Sequence, residues 1–560
     1  MRARALRARP ATCNTGVTNQ RCCGCISESI SCDSLREKAG RAANLRVMGT
    51  ETAIQVIVDN RMRMRSIDLP KSVLDDLRRE HEHANPKHFK LQKMGFKAWK
   101  EPAVIKTWRL DNDASGAEWF SIPRGGSIRL RKALSVAGLS ARFVDARSSG
   151  DRALAGMREP HPAHRVTLWE HQERIVESVL HMENCVVRSG TGSGKTTALL
   201  AAISRAQVPA IVVVWETGLL KQWQQRIERE LGLSGDDVGM IGGGVFRLRP
   251  ITMAMQQSLN RLSEARWKQI DKVFGMVAAD ELSRFAAETF RRTIDRFSAR
   301  FRIGMSADET RRDGKEFLIY DMFGSVAIEI DQDELVEAGI VHDVEIRIVL
   351  SDFRADWYVE SRDSFRFGNS DGTKADPPDF NRLLDEMLRD EQRNKLIIGT
   401  AAEATAAGRK ALIFAHRIEH CRRLDSMLAG FGMRSGVMVG EDGEAYAETV
   451  QGLWSGDRQI GVGTYGKIGM GLDLPAVAAG IAATPCHNNR PLWKQITGRL
   501  CRTTTGKSDA VLYYIWDRYV HGIVPILNIK RWSHRVFVRG DDSQWIEAKL
   551  YLQQLKGSAR

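Results

Sequence analysis

Nine consecutive residues, Ser189-Gly190-Thr191-Gly192-Ser193-Gly194-Lys195-Thr196-Thr197, bring together the residue types needed to hold a string of phosphates. Glycines let the backbone curl so that successive N–H groups point at anionic oxygens, and the start of a following helix adds partial positive charge. The run follows the strand-like Cys185-Val186-Val187-Arg188 and leads into the helix-favouring Ala198-Leu199-Leu200-Ala201-Ala202, the strand, loop, helix order of a P-loop. In that arrangement Gly190, Thr191, Gly192, Ser193, Gly194 and Thr197 cradle a nucleoside triphosphate. Lys195 reaches the β- and γ-phosphates, and Thr196 holds Mg²⁺. Ser189 departs from the pattern, standing where GxxxxGK[ST] has its first glycine.

A second element supplies the acids. Met276-Val277-Ala278-Ala279 is an apolar run ending in the adjacent carboxylates Asp280 and Glu281. At a strand end, Asp280 is placed to complete the Mg²⁺ shell and Glu281 to polarise an attacking water. A surface Asp-Glu pair usually means nothing, but the preceding apolar strand and the upstream P-loop give this one a role.

Further strings fall into a fixed order around these two. Gln172 in Leu168-Trp169-Glu170-His171-Gln172, then Val212 to Thr217, Gln222-Trp223 and Thr252 to Leu259 precede the acidic pair. Gly304-Met305-Ser306-Ala307, Thr464 to Pro475 and Gln495 to Arg502 follow it. This series resembles that of superfamily 2 helicases and translocases over roughly residues 165–520, with a flavour similar to the XPB-like and phage UvsW-like branch. The resemblance implies ATP and Mg²⁺ as cofactors. It gives Gln172 the adenine edge, Thr464 a contact to the tracked strand, and Gly471 and Asp473 a place between nucleotide and strand. Gln495, Arg499 and Arg502 resemble the last motif, whose arginines approach the γ-phosphate from a second lobe. A rigid guanidinium fork meets charge moving on a transferred phosphoryl group better than an ammonium, and an arginine reaching across a cleft makes hydrolysis depend on closure.

Two departures fall on the elements that couple hydrolysis to movement. Ser283 stands where the family's acidic motif often has histidine, and Ser306-Ala307-Asp308 replaces Ser-Ala-Thr. Hydrolysis of ATP is therefore the firmer expectation, and processive strand separation the weaker one.

Composition agrees. At 560 residues the chain suffices for about three domains, and 43% hydrophobic with 27% charged residues is ordinary for a globular protein. A net charge of +14 favours a polyanionic partner. No run approaches the 18 or so apolar residues of a membrane span, and the expected location is cytoplasmic, at the nucleoid or in a phage-infected cell. Five of the nine cysteines (Cys13, Cys22, Cys23, Cys25, Cys32) crowd residues 1–47 without paired C-x-x-C knuckles or nearby histidines, which argues against zinc. The other four read as buried thiols of a reducing compartment. Arg2, Arg4, Arg7 and Arg9 lend the start a transit-like composition, but it has no amphipathic apolar face. Residues 1–47 are expected to be a disordered or non-native extension, with Met48 the true start.

The fold class expected is α/β: two RecA-like P-loop lobes preceded by a small α/β accessory domain. Residues 48–158 would form that domain, a DNA-recognition element in which Arg124, Arg129, Arg131 and Lys132 make a phosphate-contacting patch. Its Trp99, Trp108, Trp119 and Phe120 read first as core, with base stacking the second option. Residues 159–335 read as the ATP-binding lobe, 336–379 as an inter-lobe connection with an exposed loop, 380–520 as the second lobe and 521–560 as a basic tail. The resemblance implies an ATP-dependent DNA helicase or double-strand translocase of replication, repair or recombination, with a phage source among the options. Its partners would be single-stranded, duplex or branched DNA and a nuclease or repair protein. The motor subunit of a restriction or defence complex, an RNA helicase and a slow DNA-binding scaffold are the alternatives.

Overall fold

The computed structural model describes residues 53–560 apart from 96, 98, 100, 154–156, 158–160, 283–284, 286, 308–310, 312, 368–375, 441–442, 469–476, 487–489, 505–506, 523–534, 541–542 and 559–560. The expectations for residues 1–47, Ser283, Asp308, Gly471 and Asp473 lie outside the described residues. So does Lys530-Arg531-Trp532 of the expected basic tail.

Three main sheets carry the chain. The first has five strands in the order Arg109–Asn112, Glu118–Ile122, Met62–Arg65, Ile54–Val58, Ala141–Asp145. Ile54 and Val56 alternate inward with Met62 and Met64, as a one-faced strand demands. Against them lie the helices Lys71–Glu80, which Pro70 introduces, and Ser127–Val136; they contribute Leu77, Leu130 and Leu134 to the core. Phe120 belongs to this core, fully buried, and Trp108 packs against it.

The second sheet has eight strands in the order Val245–Arg247, Gly239–Gly242, Ile251–Met255, Ala210–Val214, Met276–Asp280, Phe301–Ser306, Asn184–Ser189, Val326–Ile330. All neighbours run parallel except the first pair. Helices cover both faces of such a sheet, so its strands read as unbroken apolar runs: every residue of Ala210–Val214 and Met276–Asp280 is buried.

The third sheet repeats the plan with the order Ser435–Met438, Ile460–Thr464, Lys410–Ala415, Val477–Ala482, Ala510–Asp517, Val344–Ser351, Val536–Arg539, Trp545–Glu547. Two expectations change here. Val344–Ser351 lies in the segment read as an inter-lobe connection, yet it is an interior strand paired along its whole length with Ala510–Asp517. Val536–Arg539 and Trp545–Glu547 lie in the segment read as a tail, yet they extend the sheet. Arg535, read as part of a basic tail, pairs with Glu345 at 2.6 Å. A short strand flanked by charge has little periodicity, and only its neighbours reveal it.

The small domain is fastened to the P-loop lobe through charge. Arg124 is buried, and its guanidinium donates to the carbonyl oxygens of Ala299 (2.6 Å) and Arg300 (2.8 Å). Burial, with Arg302 nearby, pulls its pKa well below the usual arginine range. Arg61 pairs with Asp295 at 3.1 Å, both nearly inaccessible. Arg129 pairs with the buried Asp321, which His83 also meets at 3.2 Å. A Cβ on Gly125 would strike the carbonyl oxygen of Tyr320, so the two surfaces touch backbone to backbone. The phosphate-contacting patch is thereby corrected. Arg124 and Arg129 are docking residues, their donors already committed, while Arg131 and Lys132 are exposed, Arg131 lying over the Phe143 ring at 4.4 Å.

Candidate nucleotide site between the lobes

The P-loop joins the strand Asn184–Ser189 to the helix Lys195–Ala206. Its left-handed positions are Gly192 (φ 87°) and Gly194 (φ 78°), where a side chain would be strained. Ser189 needs no such freedom. Its buried hydroxyl donates to Ser193 Oγ at 2.7 Å and ties the two ends of the loop together, which accounts for serine where the pattern has glycine. Lys195 Nζ donates to the carbonyl oxygens of Ser189 (2.9 Å) and Gly190 (3.3 Å), so the ammonium lies over the loop. The first N–H groups of Lys195–Ala206 have no partner within the helix and are available to an anion. Gln172 is buried: its Nε2 donates to the Ser193 carbonyl at 3.0 Å, and a Cβ on Gly194 would collide with that nitrogen. His171 meets the same carbonyl at 2.7 Å.

Asp280 ends the strand Met276–Asp280, and Glu281 turns away from it in the left-handed region (φ 58°), a conformation uncommon outside glycine and typical of strained functional sites. Asp280 Oδ1 accepts the Glu281 backbone N–H at 3.0 Å, and Oδ2 accepts the indole N–H of Trp223 at 3.2 Å. Burial, reinforced by the Glu281 carboxylate and opposed by Lys195, raises the Asp280 pKa to about 6. A buried carboxylate held up in this way gains a counter-charge when a cation binds, and Thr196 lies beside Lys195 at the helix start. The donor set therefore fits Mg²⁺ held by Thr196 and Asp280.

The helix Thr217–Leu231 carries Trp223 of the motif series together with Arg226 and Glu230, which the motif series did not single out. Trp223, Arg226 and Glu230 are spaced i, i+3, i+7 and so share one face. Arg226 donates to Thr197 Oγ1 at 3.2 Å, and Thr197 Oγ1 donates to the buried Glu230 at 3.1 Å. Arg226 is lowered by burial, with Glu230 opposing. The signal was in the sequence as Trp223 and Arg226 one turn apart, but nothing there says that this face meets the P-loop.

From the third sheet, the helix Arg490–Leu500 brings the last motif to the loop. A Cβ on Gly498 would strike the Thr191 side chain, and one on Gly192 would lie 3.4 Å from Cys501 Sγ and 3.8 Å from Arg502 Cγ. Cys501 Sγ reaches the Thr191 carbonyl oxygen at 3.5 Å, and Val341 and Arg502 form an isolated antiparallel bridge. Arg502 is lowered to about 10 by burial and then by Arg226, so guanidiniums from both lobes flank the phosphate loop. Gln495 and Arg499 lie one turn apart on the same helix, both half-buried. Near Arg499 stands Tyr446, whose phenol is raised by burial and lowered in turn by Arg499, with Glu216 of the first lobe also in range. Thr464 ends the strand Ile460–Thr464, its hydroxyl accepting the Lys467 N–H at 3.3 Å. It stands at the carboxyl end of an interior strand, next to the strand Lys410–Ala415 that leads into His416, whose ring meets Thr484 at 2.8 Å. Cys185, Cys421, Cys486 and Cys501 are all buried free thiols, as expected. No helix among the described residues is long and apolar enough to cross a membrane.

Comparisons with known proteins agree with this geometry. Residues 165–310 match the family model described as type III restriction enzyme, res subunit. The chain is 33% identical over 165 residues to the Rad25 relative of Halobacterium salinarum, covering 30% of this chain and 27% of that protein. It is 25% identical over 204 residues to the DNA 3'-5' helicase XPB of Kineococcus radiotolerans (35% of this chain, 36% of the relative). Helicase D10 of Escherichia phage T5 is 23% identical over 382 residues, 68% of this chain and 76% of that one. The chain thus spans about a quarter to a third of the two cellular relatives' length. Its motif series lies in order on two largely parallel sheets, and over the matched stretches the chain is similar to the Rad25, XPB and phage helicases named above.

Proposed function

We propose that the chain is an ATP-dependent DNA helicase or double-strand DNA translocase, hydrolysing ATP to ADP and phosphate when DNA is bound. One observation carries the reading: the P-loop of the first lobe lies directly against Gly498, Cys501 and Arg502 of the second. A triphosphate at that seam touches both lobes, so its hydrolysis changes what holds them together, which is how chemistry drives a motion. Lys195, Thr196 and Asp280 would hold ATP and Mg²⁺, Glu281 orients the water, and Arg502 with Arg499 and Gln495 meets the transferred phosphate from across the cleft. Gln172, fixed by Ser193, stands at the adenine side. Thr464, at the carboxyl end of an interior strand of the third sheet, contacts the tracked strand. Gly471 and Asp473 carry the family's expectation of a link between nucleotide and strand.

The res-subunit match favours a second reading, the motor of a restriction or defence complex. The deciding experiment is ATPase turnover across single-stranded, duplex and forked DNA and RNA, with purification from native cells to find a nuclease partner. Stimulation by DNA above RNA supports the proposal. Turnover unchanged by any nucleic acid overturns it.

A further inference from the structure

With Arg124 and Arg129 committed to docking, the small domain's nucleic-acid surface must be sought elsewhere, and one segment stands out. Residues 85–103 form an excursion between the paired strands Glu82–Ala84 and Val104–Lys106. They hold five lysines against the single acid Glu101, with phenylalanine, methionine and tryptophan interleaved. Glu101 is already paired with Lys87. The helix Pro86–Lys93 within it buries none of its residues. Phe89, Met94 and Trp99 are 49%, 58% and 77% exposed, and Lys90, Lys93 and Lys97 are exposed beside them in sequence.

Such a segment has little hydrophobic reason to keep its shape, because an eight-residue helix without a buried face is marginal in water. Its base is instead pinned. Asn85, almost fully buried, donates from Nδ2 to the Pro102 carbonyl at 2.8 Å and caps the helix by accepting the Lys87 N–H at 3.2 Å. His88 meets the Glu101 carbonyl at 2.6 Å. Below it, His83 stacks on Phe317 with ring centroids 4.1 Å apart and joins Asp321. A Cβ on Gly314 would lie 3.1 Å from Pro86, which puts the excursion beside the segment that follows Ser306-Ala307. The excursion therefore sits against the P-loop lobe.

We infer that the exposed surface carrying Phe89, Lys90, Lys93 and Trp99 is a binding site for an unpaired nucleic-acid strand. Large apolar groups left exposed within one short segment and interspersed with lysines mark an interaction surface. The ligand must offer flat apolar faces and negative charge at short intervals. Unstacked bases on a phosphate backbone do so, whereas a duplex keeps its base faces stacked away. The site deepens the motor reading: a strand held on the first lobe beside the segment after Ser306-Ala307 is one the motor can draw away from its complement.

The test uses the full chain in four forms: wild type, Phe89→Ala/Trp99→Ala, Lys90→Glu/Lys93→Glu, and Trp99→Phe. Each is first shown by thermal melting to be folded. Affinity for an oligo(dT)-tailed fork and for a blunt duplex of equal length is read by fluorescence anisotropy without nucleotide. Crosslinking to 5-iodouracil in the tail is mapped by peptide. Expected are a loss of about tenfold or more on the tailed fork in both double variants, since stacking on an aromatic contributes strongly per base. The charge-reversed variant should also show a salt slope shallower by about two. Trp99→Phe should retain affinity to within about threefold, blunt-duplex binding and basal ATPase should be unchanged, and crosslinks should fall in residues 85–103. Tailed-fork affinity within about twofold of wild type in both double variants overturns the inference and leaves the surface to a protein partner. Equal losses on tailed and blunt DNA overturn it as a mere charge effect. Wild type without DNA-stimulated turnover would instead sink the motor reading, and the binding data would still judge this site.

Discussion

The indole N–H of Trp223 donates to Asp280 Oδ2 at 3.2 Å, so a residue two helical turns into Thr217–Leu231 sets the rotation of the carboxylate proposed to hold Mg²⁺. The other oxygen is fixed by the Glu281 backbone N–H. With both oxygens engaged, the carboxylate has one orientation, and partners that orient a metal ligand commonly matter by about 10–100-fold in metal affinity or activity. Trp223→Phe keeps the ring and removes the donor. We expect the Mg²⁺ concentration for half-maximal ATPase to rise by about tenfold, with ATP affinity measured without Mg²⁺ unchanged. An unaltered Mg²⁺ titration would show the bond to be structural.

Lys195→Ala and Glu281→Gln should separate binding from chemistry. The first removes the ammonium lying over the P-loop and should abolish both tight ATP binding and hydrolysis. The second keeps the shape at Glu281 without the charge that orients water, so a fluorescent ATP analogue should still bind while turnover stops. Near wild-type DNA-stimulated turnover in both variants would remove the site assignment.

Arg502 comes from the second lobe and is half-buried against the loop of the first. Arg502→Ala should lower turnover by about 10³, the lower end of what an arginine acting on a transferred phosphate contributes in GTPases. ATP affinity should stay within about fivefold. Equal losses of binding and turnover, read by equilibrium titration and steady-state kinetics, would assign Arg502 to holding the lobes together.

Docking of the small domain gives a pH prediction. Although burial raises the Asp321 pKa, His83 and Arg129 outweigh it and hold the group at about 2, below the ordinary 3.8. A depressed carboxyl stabilises the fold above its unfolded pKa, and that contribution, on the order of 2 kcal/mol, is lost as pH falls from about 4 through 2. Asp321→Asn should remove that acid-dependent step from thermal melts. It should also destabilise the protein at pH 7 by about 2 kcal/mol, because Arg129 would be left half-buried beside a neutral amide. A melt profile unchanged below pH 4 would show that the pair carries no such linkage.

Removing residues 53–158 tests the same interface from the other side. The deletion would uncover Asp321, Asp295 and the carbonyls of Ala299 and Arg300, whose partners Arg129, Arg61 and Arg124 lie in the removed part. Buried acids stripped of their cations should make the remaining lobes less stable and prone to aggregate, as size-exclusion chromatography would show. A truncated protein that melts like the full chain would mean that the interface adds little.

Much of the candidate nucleotide site was legible because its residues are local in sequence. A P-loop is nine neighbouring residues, and Met276–Asp280 announces itself as an unbroken apolar run ending in acids, because a strand buried on both faces has no polar alternation. The order of the later motifs brought in Gln495, Arg499 and Arg502 without any geometry. What the chain did not disclose depends on contacts distant in sequence. Val344–Ser351 is a strand because Ala510–Asp517 lies beside it, and Val536–Arg539 because Val344–Ser351 does. Trp223, Arg226 and Glu230 matter only because that helix face meets Asp280 and Thr197. Arg124 shows the limit most plainly. Its charge, in a basic helix start, suggested a polyanion, but a guanidinium can also commit its donors to backbone carbonyls, and burial against Ala299 and Arg300 chose those instead. Local pattern determines which groups can do chemistry, and tertiary packing decides which of them are left with donors to spare.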